Sequence, residues 1–136
     1  MNSFKYNYRV SISDINYGGH MGNDRSLSLF HDARISFFES MGFSELNIGE
    51  GLGIIMKDAH VEFLAEIFRG DELEVTVSLG EIKGLLFYIN YTVIRKKDLK
   101  KVLKGSTGIL AFNYQQRKLA KVPKIFFNTI NETYQR

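Results

Sequence analysis

The 136-residue sequence predicts an α+β domain in which one antiparallel sheet of about five strands wraps around a single long helix. Three observations lead there. The hydrophobic period is 2 near the start, becomes helical from Asp24 to Met41, and returns to 2 over most of the remaining chain. The helical segment is apolar on most of its circumference, so it needs more cover than a flat sheet gives. Nothing resembles a linker, since there is one proline and no Ser/Gly-rich spacer, so residues 1–136 read as one domain.

Each element has its own pattern. Residues 4–12 alternate, with Tyr6, Tyr8, Val10 and Ile12 on one face and Lys5, Asn7, Arg9 and Ser11 on the other, which predicts a strand. Residues 13–23, SDINYGGHMGN, are rich in turn formers and predict a loop. Leu27, Phe30, Arg34, Phe37, Phe38 and Met41 then recur at helical spacing. Asn23 or Asp24 is placed to cap this helix, and Gly42 stands where a left-handed C-terminal residue belongs. Residues 53–64, interrupted near Lys57-Asp58, and residues 72–80, 85–94 and 102–114 predict four further strands. The tail 124–135 predicts a short helix.

Composition excludes several classes of chemistry. There is no cysteine, which rules out disulfides, thiolate metal sites and a cysteine nucleophile. The three histidines lack the spacing of a metal site, so no metal and no cofactor is expected. No segment has signal-peptide character or the roughly 20 apolar residues of a membrane span, so a cytoplasmic protein without a membrane segment is expected. The formal net charge is +3, with lysines gathered in RKKDLKK (95–101) and RKLAKVPK (117–124). Such runs are solvated turns or attract a phosphate-rich ligand. No nucleic-acid-binding motif accompanies them.

The segment ISDINYGGHMGNDRSLSLFHDAR (12–34) resembles the signature of the 4-hydroxybenzoyl-CoA thioesterase-like family of hot-dog folds, through Asp14, Asn16, Gly19-His20, Asn23 and Asp32-Ala33-Arg34. A second landmark, VEFLAEIFRGDELEV (61–75), is similar to that family's strand running into a Gly-Asp turn. The resemblance covers roughly residues 4–115. It implies a hot-dog fold and hydrolysis of an acyl-CoA thioester, or one on acyl carrier protein. It also implies a homodimer or homotetramer with the site at a subunit interface, so that Lys57, Asp58 and His60 of a second chain face the 16–24 loop. Asn16 stands where many relatives carry a catalytic carboxylate, and an amide takes no proton at neutral pH. The loop is also similar to that of plant acyl-carrier-protein thioesterases, which use a histidine at the position of His20.

Hydrolysis needs an activated water, a stabilised oxyanion and a positioned substrate. With residue 16 an amide, the expected catalytic residues are His20 as base, Asn16 as a polar group that orients water or bonds the carbonyl, and Asp24 as a weaker base at the helix start. Histidine is the side-chain type suited to base work at neutral pH, whereas a helix N-terminus favours the charged form of a carboxylate. Gly18 and Gly19 let the backbone approach a carbonyl, Asn23 caps or contacts substrate, and Tyr17 walls the acyl pocket; these four are the expected substrate-binding residues. Asp14 is expected to position the loop, and Arg34 to anchor a buried hydrogen-bond network. Two other readings stay open: an acyl-CoA-binding protein without activity, which Asn16 favours, and a hydratase or dehydratase on the same fold.

Overall fold

A computed structural model of the chain describes residues 2–134. Strand β1 (Phe4–Arg9) and a 3-10 turn (Ile12–Asp14) lead to helix α1 (Arg25–Glu39), followed by β2 (Gly53–Phe63), β3 (Glu72–Lys83), β4 (Leu86–Arg95), β5 (Lys100–Asn113), β6 (Lys118–Ala120) and α2 (Lys124–Thr133). The sheet runs β1-β3-β4-β5-β2, all antiparallel, with β6 added beside β5.

The predicted architecture holds, with six strands rather than about five. Strand β6 escaped the pattern because three residues, KLA, are too short to show a period. They lie within a lysine-rich run that reads as a turn. Ile12 leaves the expected first strand and is 69% exposed, because the Asp14 carboxylate takes the Ser11 N–H at 2.9 Å and folds the chain into the 3-10 turn. The expected interruption in β2 is a bulge between Met56 and Asp58. Gly42 has φ 82°, and the Phe43 N–H closes back on the Phe38 carbonyl at 2.9 Å, so helix α1 ends as expected.

The core lies between α1 and the sheet. Leu29, Phe30, Ala33, Phe37 and Phe38 recur at i, i+3 and i+4 and are buried against Leu73, Val75, Val77, Phe87, Ile89 and Val93. The Phe30 ring stacks on Tyr91 with centroids 4.4 Å apart. Helix α2 closes one end through Phe126, which packs on Phe38 and Phe87. The opposite face of α1 is not covered within the chain: Leu27 is 42% exposed, and His31 and Asp32 face out. Strand β2 is one edge of the sheet, and Met56 and Phe63 on it are about half exposed, at 49% and 51%.

Candidate active site

Asp14 organises the loop before α1. Its carboxylate is 3% exposed and accepts from the Tyr8 hydroxyl (2.5 Å), the Ser11 N–H (2.9 Å) and the Arg25 Nε (3.2 Å). Burial pushes its pKa up, but these hydrogen bonds and the Arg25 charge outweigh burial and hold the carboxyl below its ordinary value. Strand β1, the 3-10 turn and the first residue of α1 are thereby tied together.

Beyond Asp14 the chain makes a tight hairpin. The Asn16 N–H donates to the His20 carbonyl (3.0 Å), the Gly19 N–H to the Asn16 carbonyl (3.1 Å), and the Gly18 N–H to the Asn16 Oδ1 (2.9 Å). Gly19 takes φ 82°, which a side chain would oppose. The Met21 N–H donates to the Ile67 carbonyl at 2.7 Å, fastening the hairpin to the segment between β2 and β3.

His20 is the member of this loop best set up as a base. Its Nδ1 lies 3.2 Å from the Met21 carbonyl, and a carbonyl only accepts, so Nδ1 carries the proton and the Nε2 lone pair is free. The Nε2 and the Asn16 Oδ1 meet over Gly18, at 3.4 Å and 3.2 Å from where a Cβ there would stand. The Asp24 Oδ1 lies 2.6 Å from the corresponding point on Gly22, with the Asn16 Cβ at 3.7 Å. His20, Asn16 and Asp24 therefore gather around the loop glycines.

The expected cap does not form. Asp24 is helical (φ −66°, ψ −21°) and makes no side-chain cap. The Arg25 and Ser26 N–H groups are met instead by the Gly22 and Asn23 carbonyls at 3.0 and 3.3 Å. Gly18 and Gly19 spend their N–H groups inside the hairpin, so they have none to offer a substrate. Among the described residues, the backbone N–H groups without an acceptor at the helix start are those of Asn23 and Asp24. These point forward from the positive end of the helix dipole. Tyr17 is fully exposed at the hairpin apex, because the turn closing on Asn16 throws it outward; in the single chain it walls no pocket.

A cavity of about 240 Å³ opens beside His20. Its apolar wall includes Met21, Phe63, Leu64, Ile67 and Leu103, and its polar members are His20, Asn23, Ser26 and Glu66. Of the residues expected at the site, His20 and Asn23 line it. Ser26 and the 63–67 segment were missed. A serine within the apolar stripe of α1, three and four residues before Leu29 and Phe30, was the signal for Ser26. The 63–67 wall carried no signal, because only pairing with the loop brings it there.

A second polar group sits further along α1. The Arg34 Nε donates to Glu45 Oε2 (2.6 Å), its Nη1 donates to the Tyr91 hydroxyl (3.1 Å), and Tyr91 meets the Thr107 hydroxyl at 2.8 Å. His31 Nε2 joins Glu45 Oε1 at 2.7 Å. Burial opposes the Arg34 charge, but Tyr91 and Glu45 outweigh it and keep the guanidinium protonated. This is the network expected of Arg34.

The lysine-rich run 95–101 spans the end of β4, the turn 96–99 and the start of β5. Arg95 takes Asp98 (3.0 Å) and Asp71 (3.4 Å), and Lys97 also approaches Asp71 (3.8 Å). Just after the turn, the Val102 carbonyl accepts from the Leu64 and Ala65 N–H groups at 3.0 and 3.3 Å, so the basic turn abuts the cavity wall. Lys57, Asp58 and His60 are exposed on edge strand β2. No helix among the described residues is long and apolar enough to cross a membrane.

Comparison with known proteins agrees with this architecture. The sequence profile of the thioesterase-like superfamily matches residues 10–129. A protein of Aquifex aeolicus (strain VF5) carrying the provisional name of esterase is 25% identical over 122 residues, covering 89% of this chain and 92% of its own. The 1,4-dihydroxy-2-naphthoyl-CoA thioesterase of Synechocystis superposes with a TM-score of 0.85 at 22% identity, covering 96% of each chain. A Staphylococcus aureus protein solved with CoA gives a TM-score of 0.85 at 20% identity, covering 97% of this chain and 84% of its own. The fold is the hot-dog fold that the resemblance implied.

Proposed function

The chain belongs to the thioesterase-like superfamily, and on that premise we propose that it hydrolyses an acyl-CoA thioester by direct attack of water. The observation that carries this reading is His20, whose Nδ1 is held by the Met21 carbonyl and whose side chain lines a largely apolar cavity at the start of α1, where the Asn23 and Asp24 N–H groups have no acceptor among the described residues. The acyl group enters the cavity and its carbonyl oxygen faces the Asn23 and Asp24 N–H groups. His20 Nε2 takes a proton from water as its oxygen bonds to the carbonyl carbon. The negative charge forming on oxygen is met by the two N–H dipoles. The intermediate then collapses, the C–S bond breaks, and the imidazolium returns its proton to the CoA sulfur. Asn16 commits its oxygen to Gly18, which leaves its amide N–H groups to orient the water. Asp24, at the helix N-terminus, is the weaker base.

The basic turn at 95–101, next to the cavity wall, supports CoA as the carrier through its phosphates. The assembly in this reading is a homodimer or a larger homo-oligomer. Edge strand β2 has unpaired backbone groups, and Leu27, Met56, Phe63 and Leu64 beside it are uncovered. A second copy would pair that edge and bring its own Lys57, Asp58 and His60 toward the loop.

The test is a panel of acyl-CoA and acyl-carrier-protein thioesters with release of free thiol as the readout. Turnover of CoA thioesters is expected. Tight binding of acyl-CoA with no thiol release would overturn hydrolysis in favour of a binding protein.

A further inference from the structure

Ser26 and Arg34 are the buried polar side chains of α1, and Ser26 differs from Arg34 in lacking a partner among the described residues. It is 2% exposed, lies one turn beyond Asn23, and lines the cavity beside His20. No side-chain nitrogen or oxygen sealed from solvent lacks a partner among the described residues. Among the described residues the Ser26 hydroxyl has no hydrogen-bond partner, so it is not sealed in the core and opens into the cavity that Ser26 lines. Leu29 and Phe30 on its own face are buried, and Met21, Phe63 and Leu103 share the cavity wall with it. A hydroxyl held in such surroundings without a partner costs binding free energy to any purely apolar occupant, and it favours an occupant that brings an acceptor or donor.

We infer that Ser26 is a specificity-determining residue, whose hydroxyl hydrogen-bonds a polar group on the acyl chain. The substrate is then an acyl-CoA bearing a hydroxyl or carbonyl beyond the thioester, rather than a plain alkyl or aryl one. This rests on the proposed hydrolysis only for where the acyl group lies. The carbonyl is held at the Asn23 and Asp24 N–H groups, and the chain beyond it passes Ser26 one helical turn deeper. The mainly apolar wall accepts the acyl carbons, and Ser26 reads the one polar substituent.

The test compares matched pairs: butanoyl-CoA against 3-hydroxybutanoyl-CoA and acetoacetyl-CoA, and benzoyl-CoA against its 3- and 4-hydroxy forms. The wild type is expected to prefer a polar member in kcat/KM. Ser26→Ala is expected to shrink that preference by about 10- to 100-fold, the range of one buried hydrogen bond. It should lose on the polar member and gain on the apolar one, mainly through KM. Ser26→Thr keeps the hydroxyl and should keep the preference. Ser26→Ala should also melt at or above the wild-type temperature, because no bond is lost and alanine favours the helix. An equal fall for all substrates would place Ser26 at the reacting carbonyl and overturn the inference. So would a wild type indifferent to the pairs, or a Ser26→Ala variant that melts lower. If no thioester is hydrolysed, the same pairs as non-hydrolysable thioether analogues, titrated by calorimetry, still read the preference. The hydrolase reading can then fail while this one stands or falls by itself.

Discussion

Two polar groups lie on the same helix and are built in opposite ways. Around Arg34, in the middle of α1, the polar side chains are joined to one another: Glu45 binds both Arg34 and His31, and Tyr91 joins Arg34 to Thr107. Around the helix start, groups are left open: the His20 Nε2, the Asn23 and Asp24 N–H groups, and the Ser26 hydroxyl. The first arrangement is paired within itself, so it stabilises the chain, although Arg34, His31 and Thr107 also border an open pocket of about 270 Å³. The second leaves hydrogen-bonding capacity beside a cavity that His20, Asn23 and Ser26 line, which costs stability unless something fills it. The difference separates a structural polar cluster from a candidate site more sharply than residue type does, since both contain a histidine and a carboxylate.

The comparison is most strongly tested at His20. His20→Ala should lower thioester turnover by about 100- to 10,000-fold, the span of general acid–base catalysis, and leave the melting temperature nearly unchanged. Steady-state kinetics beside a thermal melt check both halves. A variant that stays fully active while Asp24→Asn is folded and inactive would move the base onto the helix.

Arg34→Met should show the reverse. Loss of the guanidinium strands Glu45 and costs about 3 kcal/mol, near the low end for a broken buried pair because Glu45 keeps some contact with water. Denaturant unfolding would show it. Activity per folded molecule should fall far less than in His20→Ala. A stable but inactive Arg34→Met would mean that the Arg34 cluster serves the chemistry after all.

Asp14 joins the two ends of the comparison, being structural in its contacts but placed in the loop. Asp14→Asn should cost about 1–3 kcal/mol, because the amide cannot accept from Tyr8, Ser11 and Arg25 together. The pH dependence has a definite sign. The folded carboxyl has the lower pKa, so its contribution is fully present above the ordinary value near 3.9. It is lost as the pH falls below that value and through the depressed one. Wild-type stability should therefore decline over this acid range more steeply than that of Asp14→Asn. Parallel pH curves for the two proteins would refute it.

The sequence by itself determined the long elements, because they depend on local periodicity. Leu73, Val75, Val77 and Leu79 alternate and Leu27, Phe30, Phe37 and Phe38 recur at helical spacing whatever their partners are, and Gly42 ends α1 by a local backbone preference. The loop chemistry was legible only as a set of residue types: a histidine and two glycines before a helix mark a site, but not which N–H groups remain free. Tertiary structure decided that. Asn16 turned its oxygen onto Gly18, the Gly22 and Asn23 carbonyls replaced the expected cap, and Tyr17 went to the hairpin apex. The cavity is likewise a long-range product, since Ile67 reaches the loop through the Met21 N–H and Leu103 comes from β5, far along the chain from His20. Periodicity fixes which face of an element is buried, and only the pairing of distant segments fixes which polar atoms on the remaining faces are left without a partner.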